Sequence, residues 1–215
     1  NEGVRKDGEE KLPSRRTKLE AVDLGENAIT FVHTDHFKHL TGLRSLKLDR
    51  NLISSVDPHA FDGLKSLEAL HLSQNRIPFL NPSLLDDLPN LRVLRLDHNK
   101  IKHIDTNTFR NNPNLEEVYL DGNKFFSLSE ALFRSNMKLR TLSVNRAKLL
   151  MIERFALKGH MALEHLYLKH NLINHIDRQV FWEQTKLKTL SLTNNSLEGM
   201  PNGVFRSLSS LETLE

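Results

Sequence analysis

Leucine recurs along this chain at a fixed step. Leu19, Leu43, Leu67, Leu91, Leu115, Leu139, Leu163, Leu187 and Leu211 each stand 24 residues from the next. Counting each unit from that leucine, position four is Val22, Leu46, Leu70, Leu94, Val118, Leu142, Leu166 and Leu190. Position six is Leu24, Leu48, Leu72, Leu96, Leu120, Val144, Leu168 and Leu192. Position nine is Asn27, Asn51, Asn75, Asn99, Asn123, Ala147, Asn171 and Asn195, and position eleven is again apolar, from Ile29 to Leu197. Position nineteen is Phe37, Phe61, Leu85, Phe109, Phe133, Leu157, Phe181 and Phe205. Eight units fill 19–210 without an insertion, and 211–215 opens a ninth. Residues 1–18 are a charged N-terminal segment in which Leu12-Pro13 reads as the remnant of a cap.

Apolar positions four and six alternate with polar neighbours, which predicts a short strand in every unit. One such strand cannot bury its face alone. Parallel stacking at roughly 4.8 Å per unit gives all of them one continuous core. The position-nine Asn falls where the chain leaves the strand, so its amide can satisfy backbone groups there and repeat as a ladder. The position-nineteen Phe fills the far side of the core. Position fifteen carries His33, Asp57, Asn81, Asp105, Ser129, Glu153, Asp177 and Pro201. Most of these can cap a helix, and Pro58 and Pro82 follow two of them, so a short helical or 3₁₀ segment is predicted in each unit.

The motif L-x-x-L-x-L-x-x-N-x-I, with Phe ten residues after the Asn, resembles the leucine-rich repeat family in its 24-residue class. The resemblance covers 19–210. It implies an α/β repeat: a right-handed curved horseshoe with a parallel concave β-sheet and short helical or 3₁₀ segments on the convex side. It also implies an extracellular setting, secreted or as the ectodomain of a membrane protein. The functions it suggests are an innate immune receptor of the Toll-like kind, a secreted immune factor or a cell-adhesion protein. The Cys-rich caps usual in extracellular members are absent, because the chain has no Cys at all. It opens on Asn1 and stops inside a ninth strand, and so reads as a fragment of a longer protein.

Charge narrows the functions. The net charge is +3, and 1–18 holds six cations and four anions, which leaves +1 on the repeats. A nearly neutral body argues against a nucleic-acid partner. No apolar run reaches the ~18 residues of a membrane span. At position two the sign alternates through Glu20, Arg44, Glu68, Arg92, Glu116, Arg140, Glu164, Lys188 and Glu212, so each charge is expected beside opposite charges on both neighbouring strands.

Candidate chemistry is sparse. There is no phosphate-binding loop, no dinucleotide motif and no nucleophile elbow. Without insertions the array offers no converging acid, base and nucleophile, so it reads as non-enzymatic, with no cofactor and no metal. His33, His36 and His39 read as surface histidines rather than metal ligands. The exposed strand positions are more informative. Position five carries Lys47, His71, Arg95, Tyr119 and Tyr167, position seven Asp97 and Asp121, and position three His165. Tyr and Arg flanked by charge fit a protein-binding surface, so these eight residues form the expected concave site for a protein ligand or co-receptor. The alternative is a cell-adhesion or structural protein whose array self-associates, with homo- or heterodimerisation open to either reading. Asn194-Asn195-Ser196 is a glycosylation sequon with Asn194 as acceptor. Ala147 interrupts the Asn ladder, and Trp182, the one Trp, stands in a convex column of otherwise charged residues.

Overall fold

The computed structural model describes residues 19–129 and 131–215. The charged segment 1–18 and its expected cap remnant therefore lie outside the described residues. Nine short strands form one parallel sheet: Ala21–Asp23, Ser45–Lys47, Ala69–His71, Val93–Arg95, Glu117–Tyr119, Thr141–Ser143, His165–Tyr167, Thr189–Ser191 and Thr213–Leu214. They lie in sequence order, and every residue pairs with the one 24 positions away, as Leu70 does with Leu94 and Arg95 with Tyr119. The chain is a solenoid with one strand per unit.

The opposite side differs from expectation. Among the described residues there is no helix, only turns, two short parallel pairs, Phe31–Val32 with Ser55–Val56 and Ser127–Leu128 with Met151–Ile152, and a single parallel bridge between Met151 and His175. Unit two shows why. The N–H groups of Ala60, Asp62 and Leu64 donate to the carbonyls of Asp57, His59 and Phe61. Each bond closes a single turn, and consecutive bonds start two residues apart, so no helical ladder propagates. The position-fifteen caps act on these turns instead. Asn81 Oδ1 accepts from the Ser83 N–H (2.9 Å), Asp105 Oδ1 from Asn107 (2.8 Å) and Asp177 Oδ1 from Gln179 (2.8 Å).

The core follows the repeat frame. Leu43, Leu67, Leu70, Leu91, Leu94, Leu115, Leu142 and Leu166 have no exposed surface. The Phe column stacks where it is continuous: the Phe109 and Phe133 rings are nearly parallel, their centroids 5.2 Å apart. The Asn ladder is complete in the central units. Asn99 Nδ2 donates to Leu72 O (2.9 Å) and Leu96 O (3.0 Å), while its Oδ1 accepts from the Ile77 N–H (3.0 Å). The residue before the ladder position is left-handed in all eight units. Glu26, Arg50, Gln74, His98, Arg146, His170 and Asn194 have φ of 53–57°, and Gly122 takes the place with φ 66°. Each non-glycine residue there costs roughly 1–2 kcal/mol, which the ladder bonds offset.

Two features depart from the repeat frame. At Ala147 the neighbouring Asn171 accepts from both the Ala147 and Leu149 N–H groups (2.9 and 3.1 Å), and Lys148 becomes a second left-handed residue (φ 68°). Position twenty-two is Leu40, Leu64 and Leu88, then switches to Asn112, Asn136, His160 and Gln184 before returning to Leu208, and these four polar side chains are at most 1% exposed. Their side-chain N–H groups reach carbonyls of the preceding units, as in Asn112 Nδ2 to Leu85 O (2.8 Å) and Gln184 Nε2 to Leu157 O (2.7 Å). His160 is thus a core residue, unlike the exposed His33, His36 and His39.

Candidate recognition surface

Position-four side chains point into the core, so positions three and five of each strand turn to the open face of the sheet. In-register pairing then lays position five out as a row: Lys47 beside His71, His71 beside Arg95, and Arg95 beside Tyr119. Tyr119 and Tyr167 flank Ser143 in the same row. All of these except the buried Ser143 are half-buried or exposed.

Side-chain contacts tie the centre of the row together. The Arg95 guanidinium lies over the Tyr119 ring, 4.3 Å from its centroid, and 3.8 Å from the Asp97 carboxylate. The Tyr119 hydroxyl donates to Glu117 Oε2 at 2.8 Å. Burial, together with that bond, pushes the Tyr119 phenol up to about 12. Arg95 therefore rests on a ring that is itself pinned. Burial and the neighbouring Arg95 hold the His71 imidazole below its usual value.

Position seven forms a second, acidic row. Asp97 accepts from the Ser73 hydroxyl (2.6 Å). Asp121 accepts from the Ser143 hydroxyl (2.8 Å) and the Asn145 N–H (2.5 Å). Burial raises the Asp121 pKa despite these bonds, and the nearby Asp97 adds to the rise. Cations on one row and carboxylates on the next make a patterned surface rather than a polyanion track.

Of the eight expected residues, Arg95, Asp97 and Tyr119 form one contact cluster, with Asp121 in the turn that follows the strand of Tyr119. His165 and Tyr167 form a second cluster, their rings parallel at 6.2 Å. Lys47 stands apart and faces Asp23 at 3.4 Å. Glu117 was missed; its place at position three beside Tyr119 is the only sequence signal for it. Asn194 is exposed and left-handed, with Nδ2 3.2 Å from His170 Nδ1.

The position-two charges lie in register, but bonds form in alternate gaps. Arg44 pairs with Glu68, Arg92 with Glu116 and Arg140 with Glu164. Only Glu164 is bridged on both sides, with Lys188 at 2.7 Å as its second partner. Lys188 and Arg140 hold its carboxyl down to about 2. The charges stand beside opposite charges as expected, but elsewhere a single side chain does not span both strand gaps, so each forms at most one ion pair along the column.

Among the described residues, no group of three or more His, Asp or Glu side chains is placed to hold a metal ion, and His33, His36 and His39 are all exposed. The leucine rich repeat family model matches residues 17–77, 70–125 and 137–197. The chain belongs to the leucine-rich repeat family. Among solved structures, a chain of the TLR13–ssRNA13 complex is 31% identical over 92% of this chain, with a TM-score of 0.85. The octameric complex of Latrophilin 3, Unc5D and FLRT2, with its LRR part, gives 34% identity over 91% and a TM-score of 0.82. The LRR protein LIC12759 of Leptospira interrogans gives 22% identity over 91% and a TM-score of 0.67, which concerns the fold alone. The chain spans 28%, 60% and 54% of those chains respectively. No curated protein sequence matches it significantly. Nothing in the repeat family or in the first two of these structures points to catalysis.

Proposed function

We propose that this leucine-rich repeat array is a recognition module of an extracellular protein, with receptor or immune-type ligand binding on its concave face. The observation that carries the reading is the Arg95–Tyr119 pair, stacked at 4.3 Å and braced by Asp97 and Glu117. Immobilising an Arg and a Tyr beforehand lowers the entropy lost when a partner binds. The ligand is a protein or co-receptor. The acidic row at Asp97 and Asp121 disfavours a nucleic acid at this face, although the TLR13 complex contains single-stranded RNA. Asn194, exposed at the far end, is the glycosylation acceptor of this reading.

An adhesion role with self-association is the second reading, favoured by the likeness to the FLRT2-containing complex. Capture of binding partners on the immobilised array, with the Tyr119→Ala variant alongside, tests the first reading. Retention of a partner by the parent array and its loss from the variant is the expected result. Sedimentation of the array alone tests the second, which requires dimers that grow with concentration.

A further inference from the structure

The convex side of units five to seven carries apolar surface that the repeat frame does not call for. Trp182 is 53% exposed, Met137 47% and Phe155 42%. Position twenty, where Trp182 stands, is charged in every other unit, from Lys38 to Arg206. Two clefts meet at Phe155 and Lys158. One, of about 80 Å³, is lined by Phe155, Lys158, Trp182 and Glu183 among others. The other, of about 340 Å³, adds Arg134 and Met137. The smaller volume suits one ring-sized group, with Phe155 and Trp182 as its two aromatic walls.

Charge defines what such a group would be attached to. Lys158 Nζ lies 5.5 Å from the Phe155 ring centroid, and Arg154 Cζ lies 5.2 Å from it. Arg154 is held by Asp177 and Gln179. Glu183, the acid of the lining, is engaged by the Gly159 N–H. Arg134 makes no ion pair with a described residue. The outward-facing charge left at the clefts is positive, from Arg134 and Lys158.

We propose that this convex surface binds an acidic peptide segment of a partner protein, with one aromatic side chain seated against Phe155 and Trp182 and carboxylates on Arg134 and Lys158. A second copy of the chain is a poor occupant, because a two-fold contact would set these cations against themselves. A sulfated glycan would meet the cations but leave the aromatic cleft unfilled. The surface is separate from the concave row, so the two sites can fail independently.

Trp182 is the only Trp, so its emission reports this surface alone. The probe is the peptide Glu-Glu-Phe-Glu-Glu, with Glu-Glu-Ala-Glu-Glu and Lys-Lys-Phe-Lys-Lys as controls. The expected result is a saturable change in Trp182 emission with a Kd below about 1 mM for the first peptide only. Arg134→Glu with Lys158→Glu, and separately Phe155→Ala, should weaken it by about fivefold or more. Arg95→Ala with Tyr119→Ala should leave it unchanged. Circular dichroism melts confirm that each variant is folded. No saturable change, or an equal response to either control peptide, overturns the proposal. So does a response confined to a sulfated oligosaccharide or to phosphatidylserine vesicles, or sedimentation showing a dimer that buries Trp182.

Discussion

Units four and six, residues 91–114 and 139–162, have the same frame and solve the exit from the strand differently. In unit four, Asn99 holds its own turn and the one before it through three bonds, and a single left-handed residue, His98, precedes it. In unit six, Ala147 offers no side-chain amide. Its backbone leans on Asn171 of the next unit, and two left-handed residues, Arg146 and Lys148, bracket it. The strand itself is unaffected, since Leu142 pairs in register with Val118 and Leu166. The comparison teaches that the apolar column sets the register, while the ladder only stabilises the turn that follows. Unit six is also where Leu150, Met151, Phe155 and Met161 come to the surface. The regular units shape the concave face, and the irregular one reshapes the outside.

If this separation is right, the core should not distinguish the two units. Leu94→Ala and Leu142→Ala, both fully buried, should each cost ~2–5 kcal/mol in denaturant unfolding. A neutral Leu142→Ala would show that unit six is loosely packed. The ladder should distinguish them. Asn99→Ala leaves the Ile77 N–H without its side-chain partner, while Leu72 O keeps Asn75 and Leu96 O keeps Asn123, and should cost ~1–3 kcal/mol. Asn171→Ala should cost more than Asn99→Ala, because Asn171 also holds the Ala147 N–H. Equal costs would remove the special role given to Asn171.

Smaller effects sharpen the contrast. Lys148→Gly relieves a left-handed lysine and should stabilise by ~0.4–1 kcal/mol, whereas Lys100→Gly at the same place in unit four should destabilise by a similar amount. Opposite signs in paired thermal melts are the expected outcome. The smallest effect is electrostatic and lies at the strand edge beside unit six. Glu164 titrates at about 2 when folded, below its ordinary 4.5. Its contribution is thus present above pH 4.5 and is lost as pH falls from there to about 2. Salt should screen it, since its partners are exposed. Lys188→Met should raise the Glu164 pKa in an NMR titration; an unchanged value would leave Arg140 as its sole partner.

Much of this was legible in the chain. The 24-residue step places Leu94, Asn99 and Phe109 without reference to coordinates, because a solenoid makes every unit answer to the same neighbours. The row Lys47, His71, Arg95, Tyr119 was legible for the same reason. The clustering of Arg95 with Tyr119 was not, since it depends on which way two long side chains lean. The convex turns were misread as helical because Asn81 and Asp105 cap a turn as readily as a helix. The buried Asn112, Asn136, His160 and Gln184 were overlooked because polar residues next to a turn look solvent-facing. Their carbonyl partners lie in the preceding units, often 27 residues back, beyond any local pattern.

The claim that matters most is recognition on the concave face through the braced Arg95–Tyr119 pair. Surface plasmon resonance with a captured partner, comparing the parent array with the Arg95→Ala/Tyr119→Ala variant, tests it most directly. The account predicts that binding weakens by at least ~1 kcal/mol, about fivefold, while the melting temperature stays within error of the parent. Full binding by that variant, together with loss of binding on Trp182→Ala, would place recognition on the convex side and contradict it.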